Sequence, residues 1–479
     1  ALTQKVLVIT GGPGTGKTRT LTAKIAHLVS VCGADPSGIL ALTFTNKAAG
    51  ELEARIEKYL PGAAEHHTGT RPVAATYHAF CLSLLRQRQG GDTAVMTDKT
   101  RMWILGQACG GDASKSLVRQ ADRLIGQAKQ QLKGPADDLA EFENQVPGFA
   151  GIYDRYQHLC AQHHLADFED LIYMTVKLFQ LDPAVLTAVQ NRYRYVFVDE
   201  YQDLNYGQYE LTKLLAARSR IVVIGDPDQS IYGFRGSDNA YFKRFESDFP
   251  GCEKISLTRN YRSTQTILDA SFQMISKSEE QGHRLKVYSD DMTRQKLVIK
   301  ASRNDLSEAV EICKTIESLV GGTSFFAMDS GQVDGGVKTE YGFSDMAVLY
   351  RTRSQAKELI KAFEARGIPC QSPDREGWQD HEAIQALLSI FRLLGFKPNA
   401  SDLNTAFEWL CRLEPGKAIR FVESAMELSV QENVGIWQAL GTASEPFPES
   451  SRIPETVMIL KSLTDEINGL SAPDTMAMV

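Results

Sequence analysis

The sequence predicts an α/β fold built on a parallel sheet, and three observations carry that prediction. Short apolar runs recur as VLVIT (6–10), ILALTF (39–44), PVAATY (72–77), YVFVD (195–199), IVVIG (221–225) and KISLT (254–258). Runs of this length, bounded by Gly, Pro or Asp, are the signature of strands buried on both faces. Helix-period stretches separate several of them, at 17–30, 46–59 and 207–217, and strand–helix alternation gives a parallel sheet covered by helices. A Gly-rich loop joins the first strand to the first helix, the junction at which α/β folds hold phosphate.

Along the chain, residues 91–190 break the alternation. They carry helical periods at 101–109, 115–133, 149–162 and 168–180, punctuated by Gly134-Pro135, Pro147-Gly148 and Pro183. This reads as a helical insertion in the sheet domain. A second alternating unit begins near 285. LVIKA (297–301) and MAVLY (346–350) read as strands and 305–320 and 354–366 as helices. The Gly-rich stretch 321–342 between them reads as a surface loop. From 381 onward the pattern is helical again, at 381–395, 401–411, 417–431 and 453–469, and no internal repeat is visible.

Composition bounds the function. The 479 residues leave room for about three domains. Apolar and charged fractions of 43% and 23% are ordinary for globular proteins and exclude disorder, collagen and coiled coil as the main class. The net charge of −7 argues against a protein that coats nucleic acid non-specifically, though not against a local basic groove. No two of the eight cysteines are closer than 28 residues, as Cys81 and Cys109 are, so zinc ribbons and iron–sulfur clusters are not expected and a reduced, cytoplasmic compartment is. Cys160, His163 and His164 cluster, but without a second pair they read as a polar stretch of helix. No apolar run is long enough for a membrane span. The first ten residues lack the features of a signal peptide and read as a strand cut close to its own beginning.

Gly11-Gly12-Pro13-Gly14-Thr15-Gly16-Lys17-Thr18 fits G-x-x-x-x-G-K-[ST] between a strand and a helix. The glycines let backbone N–H groups turn inward around phosphate oxygens, and the helix N-terminus adds partial positive charge. Lys17 is expected on the β- and γ-phosphates and the Thr18 hydroxyl on Mg²⁺. The loop alone means nucleotide binding and leaves the reaction open. YVFVDEYQD (195–203) ends a buried strand in two adjacent acids. Asp199 is the expected outer contact of the metal, and Glu200 the base that polarises an attacking water, which favours hydrolysis.

These blocks do not stand alone. GGPGTGKT, LTFTNKAA (42–49), ATYHAFCLSLLR (75–86), DFEDLI (167–172), VDEYQD (198–203), GDPDQSIYGFRGS (225–237) and LTRNYRST (257–264) occur in one order. Together they resemble the UvrD/Rep/PcrA group of superfamily 1A DNA helicases, with a weaker likeness through 346–395. The resemblance implies a RecA-like P-loop motor domain at 1–90 and 166–280 and a helical insertion at 91–165. It implies a partial second RecA-like domain at 281–380 and a helical segment at 381–479 that begins a second insertion. It implies ATP and Mg²⁺ as cofactors. Gln229 is then similar to the γ-phosphate sensor, and Arg262 to the γ-phosphate arginine. Tyr261 would stack on adenine, with Arg19 flanking the base.

For single-stranded DNA, the resemblance points to Phe44, Tyr77, His78, Tyr232 and Phe234 as base contacts and to Thr45, Asn46 and Arg235 for phosphates or base orientation. Phe234 stands where the family commonly has Trp. Lys115, Arg119 and Arg123 share one face of a predicted helix, which reads as a solvated face or as a stripe for the DNA backbone.

Three departures follow. Only ten residues precede Gly11, so the upstream adenine-reading Gln of the family has no counterpart in Gln4. The family's Gly-Leu-Glu-Phe block and its Arg-bearing block ending in Thr-Arg-Ala are not found, which leads to the expectation that the chain is a fragment. The expected function is an ATP-dependent helicase or translocase on single-stranded DNA, 3′→5′ by resemblance, in repair or replication. Its expected partners are single-stranded DNA, duplex junctions and repair or replication proteins, with no membrane. Two alternatives are an ATP-gated single-strand clamp without productive unwinding and the motor part of a helicase–nuclease.

Overall fold

The computed structural model describes residues 6–60, 71–88, 94–111, 113–163, 165–231, 233, 236–237, 240–277, 285–293, 296–320, 341–372, 381–395, 400–432, 434–444 and 452–467. It divides into two compact units, residues 1–294 with 389–479, and residues 295–388.

The first unit opens with β1 (Val6–Gly11), α1 (Lys17–Ser30), β2 (Ile39–Thr43), α2 (Asn46–Tyr59), β3 (Val73–Thr76) and α3 (Tyr77–Arg88). Next come β4 (Ala94–Val95), α4 (Asp98–Ala108), α5 (Lys115–Gln130), α6 (Ala140–Glu143), α7 (Phe149–Gln162) and β5 (Leu165–Ala166). They are followed by α8 (Phe168–Leu181), α9 (Pro183–Arg192), β6 (Tyr195–Val198), α10 (Tyr206–Ala216), β7 (Arg220–Gly225), α11 (Ala240–Asp248) and β8 (Glu253–Leu257). Last are β9 (Arg259–Asn260), α12 (Gln265–Ile275) and β10 (Tyr288–Ser289).

Six strands form one parallel sheet in the order β3-β2-β6-β7-β1-β8. Alternate side chains serve opposite faces, as the two-residue strand period dictates. Leu7, Ile9, Phe197, Val222 and Ile224 pack under α1 and α2. Val8, Leu40, Leu42, Val196, Val198, Ile221 and Val223 pack against α3, α8, α10 and α11. The α/β class read from the apolar runs is therefore the observed one.

Helices α4, α5 and α7 bury a core of their own around Leu105, Leu124, Ile125, Phe149 and Tyr153. The two-residue pair β4–β5 closes its base, with Ala94 opposite Leu165. A third helical group holds the second half of α15 (Glu382–Gly395) with α16 (Ala400–Leu410), α17 (Pro415–Gln431), α18 (Ile436–Ser444) and α19 (Arg452–Ile467) around Phe407, Phe421, Val422 and Leu440.

The second unit holds α13 (Asp305–Leu319) and α14 (Arg353–Ala365), packed through Cys313, Ile316, Phe363 and Ile368. Here the sequence expectation is corrected. Residues 297–301 and 346–350 make no strand, and Ile299 and Leu349 are 96% and 94% exposed. Neither segment pairs in a ladder with a neighbour among the described residues, and an apolar run without a ladder partner is not a strand. Most of the loop read at 321–342 lies outside the described residues, as does His164. No single helix among the described residues is long and apolar enough to cross a membrane.

Candidate nucleotide and DNA site

The C-terminal ends of β1, β2, β6 and β7 point the same way, so the loops after them gather at one edge of the sheet, where ligands of open α/β sheets bind. Gly14 and Gly16 of the phosphate loop take φ of +72° and +84°, the left-handed region that glycine adopts without strain. The Thr15 hydroxyl donates to the Gly12 carbonyl at 2.8 Å and closes the turn, after which α1 begins at Lys17. Lys17 is buried, Thr18 half-buried and Arg19 exposed. Pro13 is exposed, while Gly11 and Gly12 are buried.

Asp199 lies at the tip of β6, buried; its Oδ1 accepts the Glu200 N–H at 3.0 Å, and the Thr18 side chain acts to lower its pKa. Burial and the adjacent Glu200 push its carboxyl up to about 6, against the opposing pull of Lys17. Glu200 itself sits at φ +49°, ψ +47°, a left-handed conformation that costs a non-glycine residue energy and that turns the chain sharply out of the strand. Its carboxylate accepts the Gln202 amide at 2.9 Å. Asp203, four residues from Asp199, is raised to about 7 by burial and Glu200, and its buried Oδ1 has no hydrogen-bond partner among the described residues.

Gln202 ties this acidic turn to the end of β7, because its Oε1 accepts the Asp226 N–H at 2.9 Å. Asp226 in turn accepts the Gln229 amide at 2.5 Å. Gly225 is required here, since a Cβ would collide with the Gln202 oxygen.

The segment after β8 lies on the phosphate loop. Tyr261 N–H donates to Gly14 O at 2.9 Å, and Asn260 donates through Nδ2 to the Pro13 carbonyl. Asn260 Oδ1 also accepts the N–H groups of Arg262 and Ser263 at 2.8 and 2.7 Å. A Cβ on Gly14 would lie 2.6 Å from Arg262 Cβ, so the two loops are in contact. Tyr261 presents a ring that is 70% exposed, and Arg262 is exposed beside it.

The residues present fit a nucleotide with its magnesium. The loop has the left-handed glycines that a phosphate cradle needs, a buried lysine, and a Thr–Asp pair of hard oxygen donors. Among the described residues no three carboxylate, His or Cys side chains converge to hold a metal unaided. Mg²⁺ takes one or two protein oxygens and fills its shell with water and phosphate, and Thr18 and Asp199 offer two such oxygens.

Aromatic residues gather at the ends of β2 and β3. Phe44 is half-buried, and Asn46 is exposed at the start of α2. Thr45 caps that helix by accepting Ala48 N–H at 3.1 Å. His78 is half-buried with its ring 5.1 Å from that of Phe168, and burial lowers its pKa, which favours the neutral imidazole. Tyr77 is a correction. It is 1% exposed, and its hydroxyl bonds Thr212 Oγ1 at 2.7 Å inside the core, so it offers no face to a base. Tyr232, Phe234 and Arg235 lie outside the described residues. Lys115, Arg119 and Arg123 are exposed on α5, with Arg123 donating to Gln145 at 3.1 Å.

Three residues without an assigned role emerge from this geometry. Gln202 ties the acidic turn to the end of β7. Asn260 latches one loop to the other. Phe168 pairs with His78 while 56% exposed. All three stand in the ordered blocks, so block membership was the available signal.

The family described as "UvrD/REP helicase N-terminal domain" matches residues 1–250, more than half of the chain, and "UvrD-like helicase C-terminal domain" matches 255–423. Proteins named ATP-dependent DNA helicase PcrA from Staphylococcus aureus and Staphylococcus epidermidis are each 31% identical over 453 residues. The alignments cover 92% and 91% of this chain. The chain spans 58% of the length of each of these relatives.

Proposed function

The chain belongs to the UvrD/Rep helicase family, and from that premise we propose that it is an ATP-hydrolysing motor that moves on single-stranded DNA and opens duplex ahead of it. The observation that carries the reading is buried Asp199 at the β6 tip, its carboxyl acted on by Thr18 and Lys17 of the phosphate loop, with Glu200 one residue on. It supports a reading in which a phosphate cradle, a metal-binding oxygen pair and a base for water share one edge of the sheet.

Bound Mg²⁺ would supply charge neutralisation for the β- and γ-phosphates. The chain's own residues do the rest. The phosphate loop N–H groups and Lys17 orient the triphosphate. Thr18 and Asp199 would hold the metal. Glu200, fixed by the Gln202 amide, takes the proton of the attacking water. Arg262 and Gln229 face the developing charge from the two neighbouring loops.

Phe44, His78 and Phe168 offer rings on which successive bases stack, a sequence-tolerant mode. The chain Glu200–Gln202–Asp226–Gln229 joins the hydrolytic turn to the end of β7 and Gln229, and Tyr232, Phe234 and Arg235 are our further candidates for DNA contact. We assign residues 1–90 and 166–280 to the first motor domain, 91–165 to its insertion, 281–380 to the second motor domain and 381–479 to the second insertion. The 3′→5′ direction, a role in repair or replication, action at duplex junctions with repair or replication proteins, and a cytoplasmic setting belong to the same proposal. The relatives' printed description, ATP-dependent DNA helicase, supports the ATP-driven helicase part of the proposal.

The test is steady-state ATPase of this chain with and without a single-stranded oligonucleotide, beside Glu200→Gln. The reading expects DNA-stimulated hydrolysis that the substitution abolishes while nucleotide still binds. Hydrolysis unaffected by Glu200→Gln overturns it.

A further inference from the structure

We propose that Arg259 and Asp290 are positioning residues for nucleotide recognition: together they hold the Tyr261 ring as a pre-set stacking face for the base of a purine nucleoside triphosphate. The inference rests on the nucleotide site proposed above and deepens it.

The backbone of Tyr261 is pinned, since its N–H donates to Gly14 O of the phosphate loop at 2.9 Å. Its ring is not pinned by burial, being 70% exposed. An exposed aromatic that must stack on a ligand loses rotamer freedom on binding unless something already holds it. Here the holder is Arg259, whose guanidinium carbon lies 5.2 Å from the ring centroid and covers one face. The opposite face is left for a base, giving a guanidinium–ring–base sandwich in which cation–π attraction and base stacking act on the same ring.

Arg259 is held in its turn. It forms an ion pair with Asp290. Asp290 directly follows β10, which pairs in parallel with β9 so that Tyr288 faces Arg259 and Ser289 faces Asn260. Tyr288 N–H donates to Thr258 O at 2.9 Å, and Gln265 locks the far side by accepting Ser289 N–H at 2.8 Å and donating to Asp291 O at 3.0 Å. The carboxylate is thus placed by backbone pairing, and the guanidinium by the carboxylate.

The exposure of the pair, 50% and 63% for the two side chains, argues against a role in holding the fold. Ion pairs this open add little to stability. Orientation of a neighbouring ring is a task that a weak, exposed pair can perform. A purine offers the larger stacking face, so the arrangement favours ATP over a pyrimidine nucleotide and has no effect on a ligand without a base.

The experiment measures binding of Mg·ATP, Mg·CTP and Mg·tripolyphosphate to the full chain by calorimetry. Wild type is expected to bind ATP more tightly than CTP and CTP more tightly than tripolyphosphate. Arg259→Gln is expected to weaken ATP about two- to five-fold, the range of an exposed cation–π contact, and to leave tripolyphosphate unchanged. Asp290→Asn should move ATP the same way, and Arg259→Lys should restore most of the loss. Tripolyphosphate serves as the fold control. Equal losses for ATP and tripolyphosphate, or no loss in Arg259→Gln, overturn the proposal. A wild type that binds ATP no more tightly than tripolyphosphate overturns it while the nucleotide reading stands. A wild type that binds neither overturns both.

Discussion

Gln202 accepts the Asp226 backbone N–H at 2.9 Å while its own amide donates to Glu200, at 2.9 Å as well. One side chain therefore spans the tips of β6 and β7 and joins the candidate water-activating acid to the loop that follows β7. Gln202 is buried, so the contact is shielded from water and keeps its strength.

Gln202→Ala removes this link without touching the phosphate loop. We expect nucleotide affinity to stay within about two-fold, while DNA-stimulated turnover falls on the order of ten- to a hundred-fold, as misplacement of a catalytic group does. Nucleotide titration beside ATPase with and without oligonucleotide separates the two. Full stimulation in the variant would show that the link is dispensable.

Asn260 makes the second bridge, from the segment after β8 to Pro13 of the phosphate loop, and it is 3% exposed. Asn260→Ala leaves the Pro13 carbonyl and the N–H groups of Arg262 and Ser263 without their partner. A cost of about 1–3 kcal/mol in stability follows from unpaired buried groups. KM for ATP should rise with it, because the segment carrying Arg262 loses its side-chain tie to Pro13. Thermal melts with and without Mg·ATP check both, and an unchanged KM would count against the latch.

The strand ends that carry the acids and the phosphate loop were legible because strands buried on both faces write continuous apolar runs, and β1, β6 and β7 do so. The helix α9 was not. Pro183 reads as punctuation, yet it occupies the first turn of a helix capped by Asp182, where its missing N–H costs nothing. The runs at 297–301 and 346–350 look like strands because composition cannot tell a strand from an apolar segment that lacks a ladder partner. Tyr77 shows a different limit. An aromatic in a motif block is equally a core residue, and only the Thr212 partner across 135 residues decides it. The left-handed turn at Glu200 and the bridges of Gln202, Asn260 and Arg259 leave no local pattern, since each pairs residues that only the fold brings together.

The acids at the β6 tip make stability depend on pH. Asp199 titrates near 6 in the folded chain and near 3.9 when unfolded. A folded value above the unfolded one means stability that is fully present below about 3.9 and lost as pH rises through 6. Asp203, raised to about 7, acts in the same direction. Asp199→Asn should therefore stabilise the ligand-free protein at pH 8, on the order of 1–3 kcal/mol, and flatten the dependence between pH 4 and 7. Melting temperatures of both proteins across that range test it, and parallel curves would sink the idea. The same variant should lose Mg·ATP binding, which separates the metal role from the stability effect.

Lys129 is fully buried, with Nζ at 2.6 Å from Asp167 and 2.7 Å from Asp170, and Tyr156 donates to Asp167 at 2.8 Å. Burial alone would lower its pKa, but the two aspartates outweigh that and hold the ammonium charged. Lys129→Met leaves two buried carboxylates without their cation. We expect a loss of about 3–5 kcal/mol, as for other broken buried pairs. Replacing both aspartates with Asn in the same chain should recover part of it. Urea unfolding of the single and triple variants measures this, and a loss under 1 kcal/mol in Lys129→Met would refute it.

Phe168 follows the capping aspartate of α8 and is 56% exposed, with the His78 ring 5.1 Å away. On the proposed reading, this large apolar ring, held out of the core by a capped helix start, would receive a base. His78, its protonation disfavoured by burial, offers a second flat face more than a cation for phosphate. Phe168→Ala should leave the melting temperature nearly unchanged, because little of the ring packs inside. It should weaken single-stranded DNA binding by about 1–3 kcal/mol, equally for mixed-sequence and homopolymer oligonucleotides, because stacking is sequence-tolerant. Phe168→Tyr should retain most of the affinity. Fluorescence anisotropy with labelled oligonucleotides measures all three. An affinity loss confined to one sequence would point to base reading, and no loss at all would leave Phe168 an exposed ring outside the DNA track.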